Sequence, residues 1–317
     1  MKAHSQTMGT LYVVATPIGN LEDMTPRAVR VLREVQVIAA EDTRHTRGLL
    51  NHFSIQTPMV SYHEHNERAR LERLLRTLDT GDVALVSDAG TPAISDPGAA
   101  LVAAAAAAGH RVSPIPGPSA VTAAVAAAGL VTGPFLSLGF LPRRGSERRH
   151  LLARVGAAGF PVVLFESSNR VAATLEELDR AWGNRRAVVM RELTKVHEET
   201  MFGTLRELTT RTTEAEPRGE IVLVVAGRAD DDLAEPGEAT AVLRQMRRAG
   251  LSPSQAAREA ATITGKPRSE LYEMMRTLAD EPGDATPAES RASDDGPGST
   301  GGFLRRKGTP RAKKAPG

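Results

Sequence analysis

The sequence contains no cysteine, which excludes thiolate zinc sites, iron–sulfur clusters, disulfides and cysteine nucleophiles together. A reducing cytoplasm is compatible with that absence, and a cytoplasmic location is the expectation. Aromatic residues make up only 3%, which disfavours binding by rows of stacking rings. Long apolar runs are missing as well. The N-terminus MKAHSQTMGTLYVVATP has one lysine but no apolar stretch of signal-peptide length. ALVAAAAAAG (100–109) is too short and too alanine-rich for a membrane helix, so no membrane association is expected. Two phosphate-binding patterns are absent. Gly19 stands alone where G-x-G-x-x-G would follow the first strand, and ATITGKP lacks the first glycine of G-x-x-x-x-G-K-[ST] and ends in proline. His63 and His65 in HEHNE do not match H-E-x-x-H, and no metal is expected.

What is present is ordinary globular material. The chain has 317 residues, 41% hydrophobic and 25% charged, with a formal net charge of +2, enough for two domains and an appendage. The charge is laid out unevenly: 280–295 is acidic, while FLRRKGTPRAKKAPG (303–317) carries only positive charge. Such an arm reads either as a phosphate-holding segment or as a solvated tail.

TLYVVA (10–15), VQVIAA (35–40), DVALVS (82–87) and HRVSPI (110–115) read as strands separated by helical stretches at 26–34, 66–79 and 97–108. That alternation predicts a parallel sheet with crossover helices. Thr25-Pro26, Asp96-Pro97 and Gly117-Pro118 read as helix starts with proline in the first turn. A second α/β unit begins near Pro134. Its strands are expected at 161–167, 186–192, 198–203 and 220–227, some antiparallel, and its helices at 146–155, 169–182 and 204–212. Three helices follow at 238–249, 253–264 and 268–279. They read either as a helix-turn-helix module or as an appendage covering the second sheet. The expected division is a flexible 1–9, an α/β domain at 10–132, a second at 133–230, a helical module at 236–279 and a disordered 280–317.

Four irregular segments follow the first strands at their carboxyl ends: TPIGNLEDMT (16–25), EDTRHT (41–46), SDAGTPAISDPG (87–98) and PGPSA (116–120). Ligands of open parallel sheets bind there. Gly90 and Gly98 permit close backbone approach, which suits a ligand recognised by main-chain groups and an apolar wall. EDTRHT reads either as an internally satisfied ion-pair loop or as an acid/base and phosphate-contact cluster. Asp96 is expected to cap the next helix, leaving Asp88 as the candidate for chemistry.

Taken together, TPIGNLEDMTPRA, AAEDTRHT, HEHNE, ALVSDAGTPAISDPG, PGPSA, GFLPRRG, FESSNR, RELTKVHEE and GEIVLVVAG resemble the tetrapyrrole methylase superfamily. Within it they are similar to the small-subunit ribosomal RNA methyltransferase I family. The resemblance spans about residues 10–227 and continues more weakly to about 279. It implies an α/β, tetrapyrrole-methylase-like fold of two domains with an S-adenosylmethionine cleft between them, plus a small C-terminal helical module, commonly as a homodimer. It implies methylation of the 2′-oxygen of cytidine 1402 in 16S rRNA, with the 30S subunit as partner. Thr91 stands where the superfamily's G-D-P loop has aspartate, a departure that separates this chain from the tetrapyrrole-modifying branch. By the same comparison Pro17, Gly90, Thr91, Ile94, Ser119 and Ala120 line the cofactor pocket from the first domain, and Glu166, Thr194 and Glu220 from the second.

A ribose hydroxyl is a poor acid, so a base or a charge that stabilises the forming alkoxide is expected. The candidates are Lys195 with Glu192 as one group and Asp88 or Asp42 as another, with His45 also within reach of the cleft. Arg44, Arg47, Arg143, Arg144, Arg148, Arg149 and Arg170 lie in or near irregular segments, as phosphate contacts would; a solvated helix start is the plainer reading of PRRGSERR (142–149). Two other functions compete: a tetrapyrrole methylase, and a non-catalytic RNA-binding assembly factor that has no need of the cleft loops.

Overall fold

Short, buried, β-branched runs set the first half of the molecule. The computed structural model describes residues 8–228 and 239–279. Strands β1 (Thr10–Val14), β2 (Val37–Ala40), β3 (Met59–Ser61), β4 (Val83–Val86) and β5 (Arg111–Ile115) lie parallel in the order β3-β2-β4-β1-β5. Every residue of β4 is buried, as expected of a strand covered on both faces. Helix α1 (Pro26–Glu34) covers one face by packing Leu32 against Val14, Ile38, Val86 and Ile115. Helices α3 (Glu67–Leu78) and α4 (Ala99–Ala107) cover the other through Leu74, Leu78 and Leu101 against Leu11, Ala39 and Leu85. The start of α1 is fixed as its sequence dictates: the Thr25 hydroxyl accepts from the Ala28 amide at 3.2 Å and Pro26 opens the first turn.

The second half is a mixed sheet. Strands β6 (Leu136–Phe140), β7 (Val162–Ser167), β8 (Arg186–Arg191), β9 (Glu199–Thr204) and β10 (Glu220–Val225) run in the order β6-β7-β10-β8-β9. β6 and β7 are parallel and the remaining pairs antiparallel. Helices α6 (Gly145–Ala158), α7 (Val171–Trp182) and α8 (Leu205–Glu214) bury one face through Leu152, Leu175 and Leu205. The opposite face is buried by α5 (Ala120–Ala128), the helix that follows β5. Its Val121, Ala124 and Ala128 sit on Val163, Val188, Val222 and Val224. Each fully buried valine contributes roughly 1.5–3 kcal/mol, so α5 ties the first sheet firmly to the second.

Helices α9 (Ala239–Arg248), α10 (Pro253–Thr264) and α11 (Arg268–Ala279) share a core of Leu243, Met246, Ala256, Ala260, Leu271 and Met275, and Ala153 of α6 belongs to it. The Gln245 amide donates to the Ala181 carbonyl. At Gly156 an added Cβ would stand 2.5 Å from Trp182 and 2.6 Å from Gln245, so a glycine is needed where this appendage meets α6 and α7. It therefore docks on the helical layer, and the expectation that it covers the second sheet is corrected.

Three further elements differ from expectation. β3 and β6 were not anticipated. EDTRHT is largely the start of a helix, α2 (Thr43–His52), which Asp42 caps by accepting from the Arg44 amide at 2.8 Å. Ser119, two residues beyond Gly117, stands at the N-cap of α5 without a side-chain bond. The described residues form one compact unit. The expectations for residues 1–7, the acidic 280–295 and the basic 303–317 fall outside the described residues.

Candidate active site

The loops after β1, β2, β4 and β5 meet at the carboxyl ends of the first sheet, where the second sheet faces them. Thr16 and Gly90 pair by reciprocal backbone hydrogen bonds of 2.9 and 3.0 Å, stitching the first loop to the third. Segment 87–98 turns sharply. Gly90 has φ 77° and Gly98 φ 132°, and the non-glycines Ala93 and Ser95 have φ 66° and 64°. Left-handed non-glycine residues cost of order 1–3 kcal/mol and concentrate at ligand sites. A second such cluster, Glu192 (φ 49°) and Thr194 (φ 67°), lies across the cleft. The two loops touch: a Cβ on Gly19 would stand 2.4 Å from Lys195 Cγ and 2.9 Å from the Thr194 hydroxyl.

Two adjoining cavities result. The first, about 260 Å³, is lined by Gly90, Thr91, Ile94, Ser119 and Ala120 from the first half and by Phe140, Phe165, Glu220 and Val222 from the second, with Glu41, Asp88 and Asp96 on its wall. Ile94 and Phe140 are apolar yet 51% and 60% exposed, because they face this space. The rings of Phe140 and Phe165 lie 5.5 Å apart. The second cavity, about 580 Å³, is lined by Pro17, Gly19, Arg44, His45, Gly48 and Lys195. Ile18, Asp88, Ala89 and Glu220 belong to both.

The electrostatics of the two differ. Burial pushes the Glu41 carboxyl up, opposed by the Asp88 backbone amide and helped by the Asp88 carboxylate. Burial likewise pushes Asp96 up to about 6. The Ser87 hydroxyl, which also donates to the Ala89 carbonyl at 3.2 Å, opposes this, and Glu41 and Asp88 add to it. Asp88 accepts from the Asp42 amide at 3.0 Å. In the second cavity Lys195 Nζ donates to Glu192 Oε1 at 2.9 Å and Glu220 Oε2 at 3.1 Å. Burial works against the ammonium, but the two carboxylates outweigh it and lift its pKa. Glu192 is held low by the Glu220 backbone amide (3.0 Å) and then by Lys195.

Several expected site residues are placed elsewhere. Asp96 is not a helix cap: Gly98 occupies that position in α4 and no side chain caps it. Asp42 faces neither cavity; its carboxylate is bound by Arg44 at 2.7 Å, which with the backbone amides holds it far below the usual carboxylate range and removes it as a base. Glu166 points away from the cleft. The two-residue period of β7 sends Val163 and Phe165 toward α5 and Leu164 and Glu166 the other way. Glu166 is 3% exposed and accepts from the Thr174 hydroxyl at 2.7 Å and from Arg170 at 2.5 Å. Pro17 lines the second cavity and not the first. Thr194 lies on a neighbouring groove with Pro118 and Ser119. Among the arginines, Arg148 is a buried strut, bonded to Glu177 (2.6 Å), the Pro142 carbonyl (3.0 Å) and Thr174 (3.1 Å). Arg170 is tied to Glu166, and Arg44 to Asp42. Arg47, Arg143, Arg144 and Arg149 are exposed, the last three around one shallow concavity at the start of α6. Sequence reasoning missed Glu41, Asp96, Phe140, Phe165 and Val222 as lining residues. The alternation in VVLFES carries the signal for Phe165.

Two facing α/β sheets with a cavity at the strand ends define a class. Residues 10–209 match the family described as "Tetrapyrrole (Corrin/Porphyrin) Methylases", and residues 234–279 match the "RsmI C-terminal HTH domain". A solved diphthine synthase is similar in fold, with a TM-score of 0.53 at 15% identity over 84% of this chain and 99% of that one. Among curated relatives, "Ribosomal RNA small subunit methyltransferase I" of Xylella fastidiosa (strain Temecula1) is 48% identical over 270 residues, 84% of this chain and 98% of the relative. The protein of the same name from Synechocystis is 48% identical over 275 residues, 86% and 99% of the two chains. The chain belongs to the ribosomal RNA small subunit methyltransferase I family, within the tetrapyrrole methylases.

Proposed function

We propose that this protein transfers the methyl group of S-adenosylmethionine to the ribose 2′-oxygen of cytidine 1402 in 16S rRNA. The observation that carries this reading is the 48% identity, over nearly their whole length, to relatives named for ribosomal RNA small subunit methylation. The first cavity fits the cofactor. Its volume is near the lower end of small-molecule sites, Gly90 lets backbone approach, Ile94, Phe140 and Phe165 offer an apolar wall, and Glu41, Asp88 and Asp96 suit a cation. When bound, the cofactor supplies a methyl group on positively charged sulfur. The protein must then hold the nucleophilic oxygen in line and manage its proton. Asp88, on the wall common to both cavities, is placed to accept that proton. Lys195, kept cationic by Glu192 and Glu220, stabilises the negative charge that develops on the oxygen. With the cofactor bound, the hydroxyl proton would pass to the Asp88 carboxylate while Lys195 holds the oxygen for attack.

Arg143, Arg144 and Arg149 are proposed to hold RNA phosphates beside the cleft. The 30S subunit is the substrate we infer, and a homodimer the assembly. The edge strand β9, which exposes Phe202, is a surface suited to a second copy. The division into units 10–132, 133–230 and 236–279 is proposed with it. No described helix is long and apolar enough to cross a membrane, and a cytoplasmic location is part of the proposal. The test offers the full chain labelled cofactor with 30S subunits, naked 16S rRNA or a porphyrinoid. Label on a ribose of 30S supports the reading; label on a ring carbon of the porphyrinoid sinks it in favour of the tetrapyrrole branch.

A further inference from the structure

We propose that Phe140 is the platform on which the adenine ring of the cofactor stacks, and that a bulge at Gly139 aims it there. This rests on the reading of the first cavity as the cofactor site, and assigns within it the face that takes the base. Strands β6 and β7 are parallel, and their register slips: Leu136 pairs with Val162 and Ser137 with Val163, but Phe140 pairs with Phe165. Three steps along β6 are thus matched by two along β7, so β6 holds one extra residue between Ser137 and Phe140. Gly139 supplies the left-handed backbone this needs, at φ 59° in a buried position. Bulges are rare between parallel strands and are found beside active sites, where they redirect a side chain.

The redirection is visible in the packing. Leu136 and Leu138 turn toward the helical layer of α6, α7 and α8 and pack against its core. A two-residue period would send residue 140 the same way. With the extra residue, Leu141 takes that inward place at 4% exposure. Phe140 emerges on the opposite face beside Phe165 and lines the first cavity. A large apolar ring is thereby moved from a core into open space, a loss of burial that packing alone does not explain. The rings of Phe140 and Phe165 are tilted by 54°, so they do not cover each other face to face. The chain has only seven phenylalanines, and two of them meet at this cavity. Glu41, Asp88 and Asp96 in the same cavity answer the cationic end of the cofactor, and the aromatic face remains for its one flat ring. The bulge also fits the first half of the molecule: a Cβ on Gly139 would stand 2.6 Å from the Ser95 hydroxyl oxygen. The glycine that turns Phe140 therefore also admits the loop whose Ile94 is the cavity's other exposed apolar side chain.

The test titrates the full chain with S-adenosylhomocysteine by calorimetry, with Tm measured on the same samples and methyl transfer to 30S subunits followed separately. Phe140→Ser is expected to weaken S-adenosylhomocysteine binding by about 10–10²-fold, as when a base loses its aromatic partner, while Tm holds or rises because an exposed ring is removed. Phe140→Leu keeps apolar area without a flat face and recovers little; Phe140→Tyr recovers most of the affinity. Phe140→Trp adds a reporter, since the chain's single tryptophan, Trp182, is buried in the core of the helical layer. Emission from position 140 is expected to be quenched on saturation with S-adenosylhomocysteine. Wild-type affinity in Phe140→Ser or Phe140→Leu overturns the inference. A loss of affinity matched by a fall in Tm also overturns it, because the ring is then structural. So does a raised KM for 30S with S-adenosylhomocysteine binding intact, because the ring then serves the RNA. Failure of the wild-type protein to bind S-adenosylhomocysteine contradicts the reading of the first cavity instead.

Discussion

Asp96 and Lys195 show how one site holds opposite charge states side by side. Asp96 holds its proton to about pH 6 in the folded chain, against roughly 3.9 when unfolded. Between those values the folded state binds more protons than the unfolded one, so this group makes stability fall as pH rises from about 4 to 6. Asp96→Asn removes that slope. It should raise stability at pH 7.5 by about 1–2 kcal/mol, reduced for partial exposure, and leave it unchanged at pH 4; denaturant melts at the two pH values check this. A bound cation favours the ionised carboxylate, so S-adenosylmethionine affinity of the wild type should tighten from pH 5 to 7 and flatten in Asp96→Asn. Lys195 acts on the other reactant. Lys195→Met should lower kcat about 10²–10³-fold and leave S-adenosylhomocysteine binding intact, with Lys195→Arg recovering part of the rate; unchanged kcat would remove Lys195 from the mechanism.

At the scale of elements, the start of helix α6 and the residues just before it divide their arginines between two tasks. Arg148 lies inside, clamped to Glu177, Thr174 and the Pro142 carbonyl, whereas Arg143, Arg144 and Arg149 face solvent. Arg148→Ala strands the Glu177 carboxylate and takes a donor from the Pro142 carbonyl, while the Thr174 hydroxyl keeps its bond to Glu166. It should cost about 2–3 kcal/mol, less than for a fully buried pair because the Glu177 side chain is 31% exposed. Arg143→Glu with Arg144→Glu should leave stability and cofactor affinity alone and abolish methylation of 30S. Equal losses of stability in the two variants would refute the division. Sequence alone does not separate these arginines, since PRRGSERR offers no period from which to read an inward face. The same limit hid β3, only three residues long, and α2, whose first turn reads as a charged loop. Asp96 was misread because Asp-Pro is an ordinary helix opening, while here Gly98 turns the chain at φ 132° and leaves the carboxylate on the cavity wall. By contrast α1, α10 and α11 were legible to the residue, since Thr25-Pro26, Ser252-Pro253 and the turn at Lys266-Pro267 punctuate the chain. Glu166 was also legible in principle, because strand alternation alone sets it opposite Phe165.

At the scale of the molecule, two sheets of different design make one site. The parallel sheet supplies its loops, as open α/β sheets do. The mixed sheet presents a face, on which α5, the helix that follows β5, packs through Val121 and Ala128. The result is a cavity carrying carboxylates next to one where Lys195 is held by Glu220, with Asp88 and Glu220 on the common wall. That juxtaposition carries the central claim: a cationic methyl donor bound against carboxylates and a ribose oxygen beside Lys195. The most direct measurement incubates the full chain and tritiated S-adenosylmethionine with 30S subunits lacking this modification, followed by nuclease digestion and mass spectrometry of the 16S rRNA. The account predicts one added methyl on the ribose of cytidine 1402. A methyl on a base, on another nucleotide, or no transfer to 30S at all would contradict it.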